Sequence, residues 1–358
     1  MIQKLIPSIH NWQQFISLSF AHGIFPIVYS TLKKQIQNIP TSILTIMKTH
    51  NIEIAKKNML MTTELIKLMK LFEENSIDAI AFKGPTLSQM AYGDITLRQY
   101  ADLDILIDEK DLQKSINLLS STSYTIDEVE YQNIMKNQSI FHDISLYKYD
   151  INFELHWRLL SDEFKTDIDH INIKENLHEV VISNYKFKSF ENEILILYLA
   201  IHGAKHNWER VEWLLDIVKI IQNHTIDWQR IIELMKKTKT EKILLSSLSL
   251  CRNVLDLSLP IKVENLINKP KILKISEELE KYFYTHFHSG INQNVATKKI
   301  SKTQYNLLSG YKNKFLFILS LLKPTEIDFK TIQLPHTIRF VYYIIRPFNV
   351  LFRWAKKL

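Results

Sequence analysis

Ala81-Phe-Lys83-Gly84-Pro85 and, further along, Tyr100-Ala-Asp102-Leu-Asp104-Ile-Leu-Ile107 together indicate the architecture of this chain. The second segment carries two carboxylates, Asp102 and Asp104, one residue apart on an otherwise apolar strand. Because successive side chains of a strand point to opposite faces, the two carboxylates share one face and the aliphatic residues share the other. Two anions that lie this close to each other beside a core stay ionised only when a cation or basic neighbours compensate them. The pattern therefore predicts a hard, oxygen-ligated divalent ion such as Mg²⁺.

A second alternating segment, Asp150-Ile-Asn152-Phe-Glu154-Leu-His156-Trp-Arg158, supplies a third carboxylate. Its apolar residues fall on one face, and Asn152, Glu154 and His156 fall on the other. Placed beside the first strand, Glu154 would join Asp102 and Asp104, and three such carboxylates can hold two metal ions for in-line phosphoryl or nucleotidyl transfer. His156 is expected to hydrogen-bond to a metal ligand or to lie on the acceptor side.

Further motifs extend this pattern: Lys83-Gly84, Tyr92-Gly-Asp94, Arg98, Glu154-Leu-His156-Trp157-Arg158 and His202-Gly203-Ala-Lys205-His206-x-Trp208-Glu209. Together with the Asp pair they resemble the bacterial family of uncharacterised nucleotidyltransferases, within the polymerase-β-like nucleotidyltransferase superfamily. The resemblance implies a small mixed sheet flanked by helices. It also implies Mg²⁺- or Mn²⁺-dependent transfer of a nucleoside monophosphate from an NTP, with pyrophosphate as the by-product.

The resemblance assigns roles to particular residues. Asp102, Asp104 and Glu154 would be the catalytic residues and the metal ligands. The nucleotide would be bound by Lys83, Gly84, Arg98, His202, Lys205 and His206. Other interpretations remain open: Lys83 could be a solvated strand end, Arg98 could pair with Asp94, and the two histidines could be ordinary helix residues.

One departure concerns the turn after the first strand. The superfamily usually has Gly-Ser or Gly-Gly there, whereas this chain has Gly84-Pro85, and eighteen positions separate Gly84 from Asp102. Proline has no amide hydrogen, so one backbone contact to phosphate is missing. Lys83 and Arg98 could supply positive charge in its place.

The chain divides into three predicted units of an α+β protein. Residues 1–75 form a helical N-terminal region, 76–190 the nucleotidyltransferase core, and 191–358 an all-helical C-terminal domain. In the first unit, Met59, Leu60, Leu65, Leu68, Met69 and Phe72 are predicted to form a buried stripe. The core is expected to contain a strand over 75–82, a helix over 109–119 and a hairpin over 139–158. Helices are expected at 193–202, 211–221, 228–235 and 243–254.

Composition is compatible with this interpretation. The 358 residues are 46% hydrophobic, which suffices for packed cores, and 45 basic against 38 acidic residues leave a net charge of +7. The single Cys251 and the absence of a signal-peptide pattern favour a cytoplasmic location. A basic and aromatic C-terminal segment from Arg346 to Lys357 could pack on the helical domain or contact a membrane surface.

The sequence does not identify the molecule that accepts the nucleotide. A small molecule or a peptide or protein hydroxyl is favoured over RNA, because no stripe of aromatic and basic residues suited to stacking bases is visible. AMP is the favoured nucleotide. The alternative is an inactive module of the same fold that binds a nucleotide or a partner without transfer.

Overall fold

The computed structural model describes residues 2–136, 138, 141–160, 166–287, 302–322 and 341–346. The N-terminal region is helical, as predicted, with α1 (Ile2–Leu5), α2 (Trp12–Ala21), α3 (Phe25–Leu32) and α4 (Thr41–Glu74). It has its own small apolar cluster, formed by Ile6, Ile16, Phe25, Leu32, Ile39 and Met47. The C-terminal half of α4 joins the main core instead.

The predicted stripe on α4 is partly wrong. Leu65, Leu68, Met69 and Phe72 are buried, but Met59 and Leu60 are exposed, at 54% and 66%. The buried apolar side chain of that turn is Met61, beside the buried polar residues Asn58 and Thr62. The stripe shifts because, at 100° per residue, the face that contains Leu65 and Leu68 also contains position 61.

The core contains, in chain order, β1 (Ala79–Ala81), α5 (Gly84–Tyr92), β2 (Asp102–Ile107), α6 (Leu112–Ser121), α7 (Glu128–Lys136), β3 (Asp143–Lys148) and β4 (Ile151–His156). The four strands form one sheet in the order β1-β2-β4-β3. β2 pairs in parallel with β4, while β1 with β2 and β3 with β4 are antiparallel. The small mixed sheet and the β3–β4 hairpin are thus confirmed. The first strand is shorter than predicted, and a 3-10 turn over Glu109–Asp111 precedes α6.

A two-stranded sheet, β5 (Leu177–Ile182) with β6 (Tyr185–Phe190), follows the core and was not predicted, nor was α7. Phe190 of β6 stacks on Phe82, with ring centroids 4.9 Å apart, so the hairpin covers the end of β1. Phe82 and Phe190 are fully buried. The hairpin therefore extends the core beside the turn that carries Lys83.

The rest of the described chain is helical: α8 (Asn192–Lys205), α9 (Val211–Asn223), α10 (Trp228–Lys237), α11 (Glu241–Leu255), α12 (Ile261–Ile267), α13 (Pro270–His286), α14 (Lys302–Leu307), α15 (Tyr311–Leu322) and a helix over 341–346. All four helices predicted after residue 192 are confirmed. One continuous apolar core includes the sheet and residues of α8 to α15. The domain boundaries predicted at residues 75 and 190 therefore stay a prediction. None of the described helices has the length and apolar character needed to cross a membrane. The predicted basic C-terminal segment lies outside the described residues, except for Arg346.

Candidate active site

The turn between β1 and α5 positions Lys83 over the sheet. Gly84 has φ +55°, a left-handed conformation that favours glycine, and a Cβ there would lie 3.2 Å from the carbonyl oxygen of Asp102. Pro85 occupies the first turn of α5, where its missing amide hydrogen breaks no helical hydrogen bond. The chain can therefore turn tightly against the start of β2.

The parallel pairing of β2 with β4 brings the carboxylates together. Asp102 lies opposite Asn152, and Asp104 lies opposite Glu154. Leu103 and Ile105, on the other face of β2, are fully buried. The predicted alternation is confirmed, and the pairing places Glu154 on the strand beside the Asp pair, so carboxylates on adjacent strands share one face of the sheet.

Asp104 is the buried centre of this face, with 1% of its surface exposed. Lys83 Nζ donates to Asp104 Oδ1 at 2.8 Å, whereas Asp104 Oδ2 is buried and has no hydrogen-bond partner among the described residues. Burial alone would raise the pKa of Asp104, but the charges of Lys83 and His156 outweigh it and hold the pKa below its ordinary value. The pKa of Asp102 is raised, first by burial and then by repulsion from Asp104. The group therefore carries crowded negative charge that Lys83 and the imidazole of His156 only partly compensate.

His156 lies between the carboxylates of Asp104 and Glu154. Its Nε2 is 3.4 Å from Asp104 Oδ1 and 3.5 Å from Glu154 Oε2. Burial would lower the pKa of His156, but the two carboxylates raise it to about 9. Asp104, Glu154 and His156 each offer a ligand atom within 4.8 Å of the others, so the three could hold a metal ion. Among the described residues, this group does not extend to Asp102.

Arg98 is held by α9. Its Nε donates to both carboxylate oxygens of Asp216, at 3.0 and 3.1 Å, and the hydroxyl of Tyr92 donates to the same carboxylate at 2.8 Å. Arg98 is 7% exposed. Its charge opposes, without cancelling, the rise in the pKa of Asp102 that burial and Asp104 cause. Asp216, not Asp94, is thus the acidic partner of Arg98. A contact between Arg98 and phosphate stays a prediction.

A family model described as uncharacterised nucleotidyltransferase matches residues 8–256. The chain belongs to this nucleotidyltransferase family. The match contains the whole sheet and α8 to α11, and it confirms the predicted resemblance. No curated protein is significantly similar to the chain. Membership supports nucleotidyl transfer as the general role and divalent-ion use as the expectation for a nucleotidyltransferase.

A group of rings lies next to the acidic centre, on α8 and α9. His202 lies 5.0 Å from His206 and 5.5 Å from Trp213, and His206 lies 5.2 Å from Trp213, measured between ring centroids. Burial, followed by the charge of Lys83, lowers the pKa of His202 well below its ordinary value, so this imidazole is neutral at pH 7. The predicted residues His202 and His206 are therefore brought together, with His202 close enough to feel the charge of Lys83.

Gly203 explains how this end of α8 is built. Trp208 is fully buried, and a Cβ on Gly203 would lie 2.4 Å from its Nε1. The amide of Trp208 donates to the carbonyl of Gly203 at 2.8 Å, closing the turn after the helix. Lys205, in the last turn of α8, is near enough for its charge to lower the pKa of Asp143.

Three neighbours of the site were not predicted from the sequence: Tyr198, Trp213 and Asp216. Tyr198 precedes His202 by one helical turn, so its position could have been derived from the helix spacing. Trp213 and Asp216 belong to α9, and their contacts depend on how α9 packs against α8 and α5. No local pattern in the sequence specifies that packing.

Proposed function

We propose that the protein transfers a nucleoside monophosphate, with AMP favoured, from an NTP to a hydroxyl of a small molecule or of a peptide or protein, releasing pyrophosphate. The observation that carries the proposal is the buried Asp104, with an oxygen that lacks a partner, placed by strand register beside Glu154. A buried carboxylate oxygen without a hydrogen bond is costly, which favours a missing cation.

The donor set is compatible with a divalent ion. Asp102, Asp104 and Glu154 would hold Mg²⁺ or Mn²⁺, since both ions accept carboxylate oxygens. A bound divalent ion would neutralise the phosphates and favour ionisation of the acceptor hydroxyl.

Residues of the chain take the acceptor proton and stabilise the charge on the phosphates during the transfer. The acceptor oxygen forms a bond to the α-phosphorus while the bond from that phosphorus to the oxygen bridging to the β-phosphate breaks, so pyrophosphate leaves with the bridging oxygen. Glu154, with 25% of its side chain exposed against 0% for Asp104, is the carboxylate that an acceptor can reach, and it takes the hydroxyl proton. Lys83 moves from Asp104 to the phosphates and stabilises the charge that develops there. Arg98, fixed by Asp216, adds positive charge on the Asp102 side.

The nucleotide is assigned to the space between the β1–α5 turn and α8. Gly84 lets the chain approach the phosphates, while His202, Lys205 and His206 contact the base or ribose. Trp213 offers a half-buried indole beside the two imidazoles, suited to stacking on a base.

The surroundings of Pro85 and Arg98 favour the alternative, a module that binds a nucleotide without transferring it. Pro85 removes one amide, and the Nε of Arg98 is engaged by Asp216, so two expected phosphate contacts are altered. A protein of this kind would bind NTP and leave the phosphates intact.

The experiment incubates full-length protein with each of the four α-³²P-labelled NTPs and Mg²⁺ or Mn²⁺ in a cell lysate, and follows label in small-molecule, peptide, protein and RNA fractions. Asp104→Asn removes one charge from the acidic centre at constant shape. Asp150→Asn, an exposed carboxylate in the β3–β4 turn, is the matched control.

Label in one fraction with wild type and Asp150→Asn, but not with Asp104→Asn, supports the proposal and identifies the acceptor class and base. Equal labelling with Asp104→Asn refutes the assigned site. NTP binding by calorimetry without label in any fraction favours the binding module.

A further inference from the structure

His156 is a buried side chain that hydrogen bonds do not explain. It is 4% exposed, and neither ring nitrogen has a hydrogen-bond partner among the residues that the structure describes. The carboxylates of Asp104 and Glu154 compensate only part of the hydration that this buried imidazole loses, because they lie farther from Nε2 than in an ordinary charge-assisted hydrogen bond. Its position therefore suggests a ligand.

The distances around Nε2 are close to those of atoms that share a metal. Nε2 lies 3.4 Å from Asp104 Oδ1 and 3.5 Å from Glu154 Oε2. Neighbouring ligands of an octahedral ion, bound at about 2.1 Å, stand about 3 Å apart, so both distances would shorten by about 0.5 Å when Mn²⁺ or Mg²⁺ binds. Direct hydrogen bonds from an imidazolium to these oxygens would be shorter, at about 2.7–2.9 Å.

A further carboxylate, that of Asp143, lies close to the imidazole of His156. Asp143 lies opposite His156 in the β3–β4 register, and His142, Asp143 and His156 each place a ligand atom within 4.8 Å of the others. A histidine that binds a metal through one nitrogen commonly donates its other N–H to a carboxylate, which fixes the ring. Asp143, whose Oδ1 lies 2.9 Å from His142 Nδ1, is the nearby carboxylate that could take this role once a metal orients the ring.

We propose that His156 is itself a metal ligand, so that Asp104, Glu154 and His156 form a mixed oxygen and nitrogen site that prefers Mn²⁺ to Mg²⁺. The inference rests on the metal site of the proposed function and specifies which cation fits it. Mg²⁺ takes oxygen ligands almost exclusively, whereas imidazole suits the first-row transition ions and binds Mn²⁺ more readily than Mg²⁺.

The test uses the full-length protein and Mn²⁺ alone. Electron spin echo envelope modulation of bound Mn²⁺ detects a coordinated ¹⁴N directly, and calorimetry gives the Kd of Mn²⁺ and Mg²⁺ separately. His156→Asn removes the ligand, and His178→Asn, an exposed histidine on β5, is the control. Asp104→Asn tests the metal site itself.

The expected result is ¹⁴N modulation in wild type and His178→Asn, lost in His156→Asn together with a rise of about 10-fold or more in the Kd of Mn²⁺. The Kd of Mg²⁺ should change much less. Bound Mn²⁺ without ¹⁴N modulation in wild type, but lost in Asp104→Asn, overturns the role of His156 and leaves the proposed function standing. Mn²⁺ that fails to bind wild type, or binds Asp104→Asn equally well, overturns the metal site as a whole. The wild-type spectrum settles the role of His156 even if His156→Asn folds poorly.

Discussion

Replacing Lys83 by methionine should make the stability of the protein depend on divalent ions. Lys83 Nζ lies 2.8 Å from Asp104 Oδ1, and the two side chains are 13% and 0% exposed. Unit charges at that distance attract by about 6 kcal/mol at an effective dielectric constant of 20, and removing one partner of a buried pair costs about 3–5 kcal/mol. Lys83→Met should lose up to about that much unfolding free energy in EDTA, because Asp104 is then buried beside Asp102 and Glu154 with His156, at 3.4 Å, as the counter-charge that is left among the described residues.

Added Mn²⁺ or Mg²⁺ should restore much of the loss, since a bound cation stabilises the folded state by mass action. Denaturant unfolding in EDTA and in each ion measures both effects. Lys148→Met is the control, because Lys148 pairs with Glu64 at 2.7 Å with side chains 19% and 9% exposed, away from the acidic centre. It should lose stability without regaining it from metal. A Lys83→Met protein within about 1 kcal/mol of wild type in EDTA, or equal rescue of both variants, would refute the reasoning.

Three further outcomes are expected. Gly203→Ala should lose about 1–3 kcal/mol in denaturant unfolding, because its Cβ would lie 2.4 Å from Nε1 of the buried Trp208, and unchanged stability would contradict this packing. Trp213→Ala should raise the KM for NTP by about 5- to 150-fold, the loss of about 1–3 kcal/mol of base stacking, with Trp213→Phe close to wild type; a change in kcat alone would exclude a base platform. Lys148 and Tyr124 outweigh burial and lower the pKa of Glu64 from 4.5, so its stabilisation is present above about pH 4.5 and lost as pH falls through the folded-state pKa. Unfolding titrations of wild type and Glu64→Gln should therefore converge at low pH, and a constant difference would contradict the sign.

The acidic centre was largely predictable because strand alternation and register act locally. Asp102 and Asp104 could be placed on one face by the two-residue period alone, and Glu154 followed from the alternation of its own segment. A one-residue slip would turn Phe153 and Leu155 out of the core, so alternation places Glu154 on the face of the Asp pair, whereas its position opposite Asp104 and not Asp102 depends on the register of the folded sheet. Gly84 was named from the Lys83-Gly84 motif, which is part of the family resemblance.

The surroundings of that centre were less predictable because they depend on distant packing. The bond from Arg98 to Asp216 spans 118 positions, and nothing in the sequence near Arg98 distinguishes Asp216 from the closer Asp94. His156 was expected beside a ligand, but its two distances to carboxylates depend on the β2–β4 pairing in three dimensions. The β5–β6 hairpin was missed because Lys186 and Lys188 give an exposed face typical of a solvated loop as well as of a strand.

Helices beyond the family match contact the end of α8 and the turn that follows it. The match ends at residue 256, yet Gln304 on α14 donates to the carbonyl of Lys205 at 2.8 Å, and the hydroxyl of Tyr282 on α13 donates to Glu209 at 2.9 Å. The carboxylates and Lys83 lie within the matched part, whereas the turn after α8 is supported from outside it. Contacts of this kind fix the position of Lys205 relative to the ring group on α8 and α9. The acidic centre therefore lies within the part of the chain that the family model matches, while the turn that carries Lys205 is supported partly by helices outside the match.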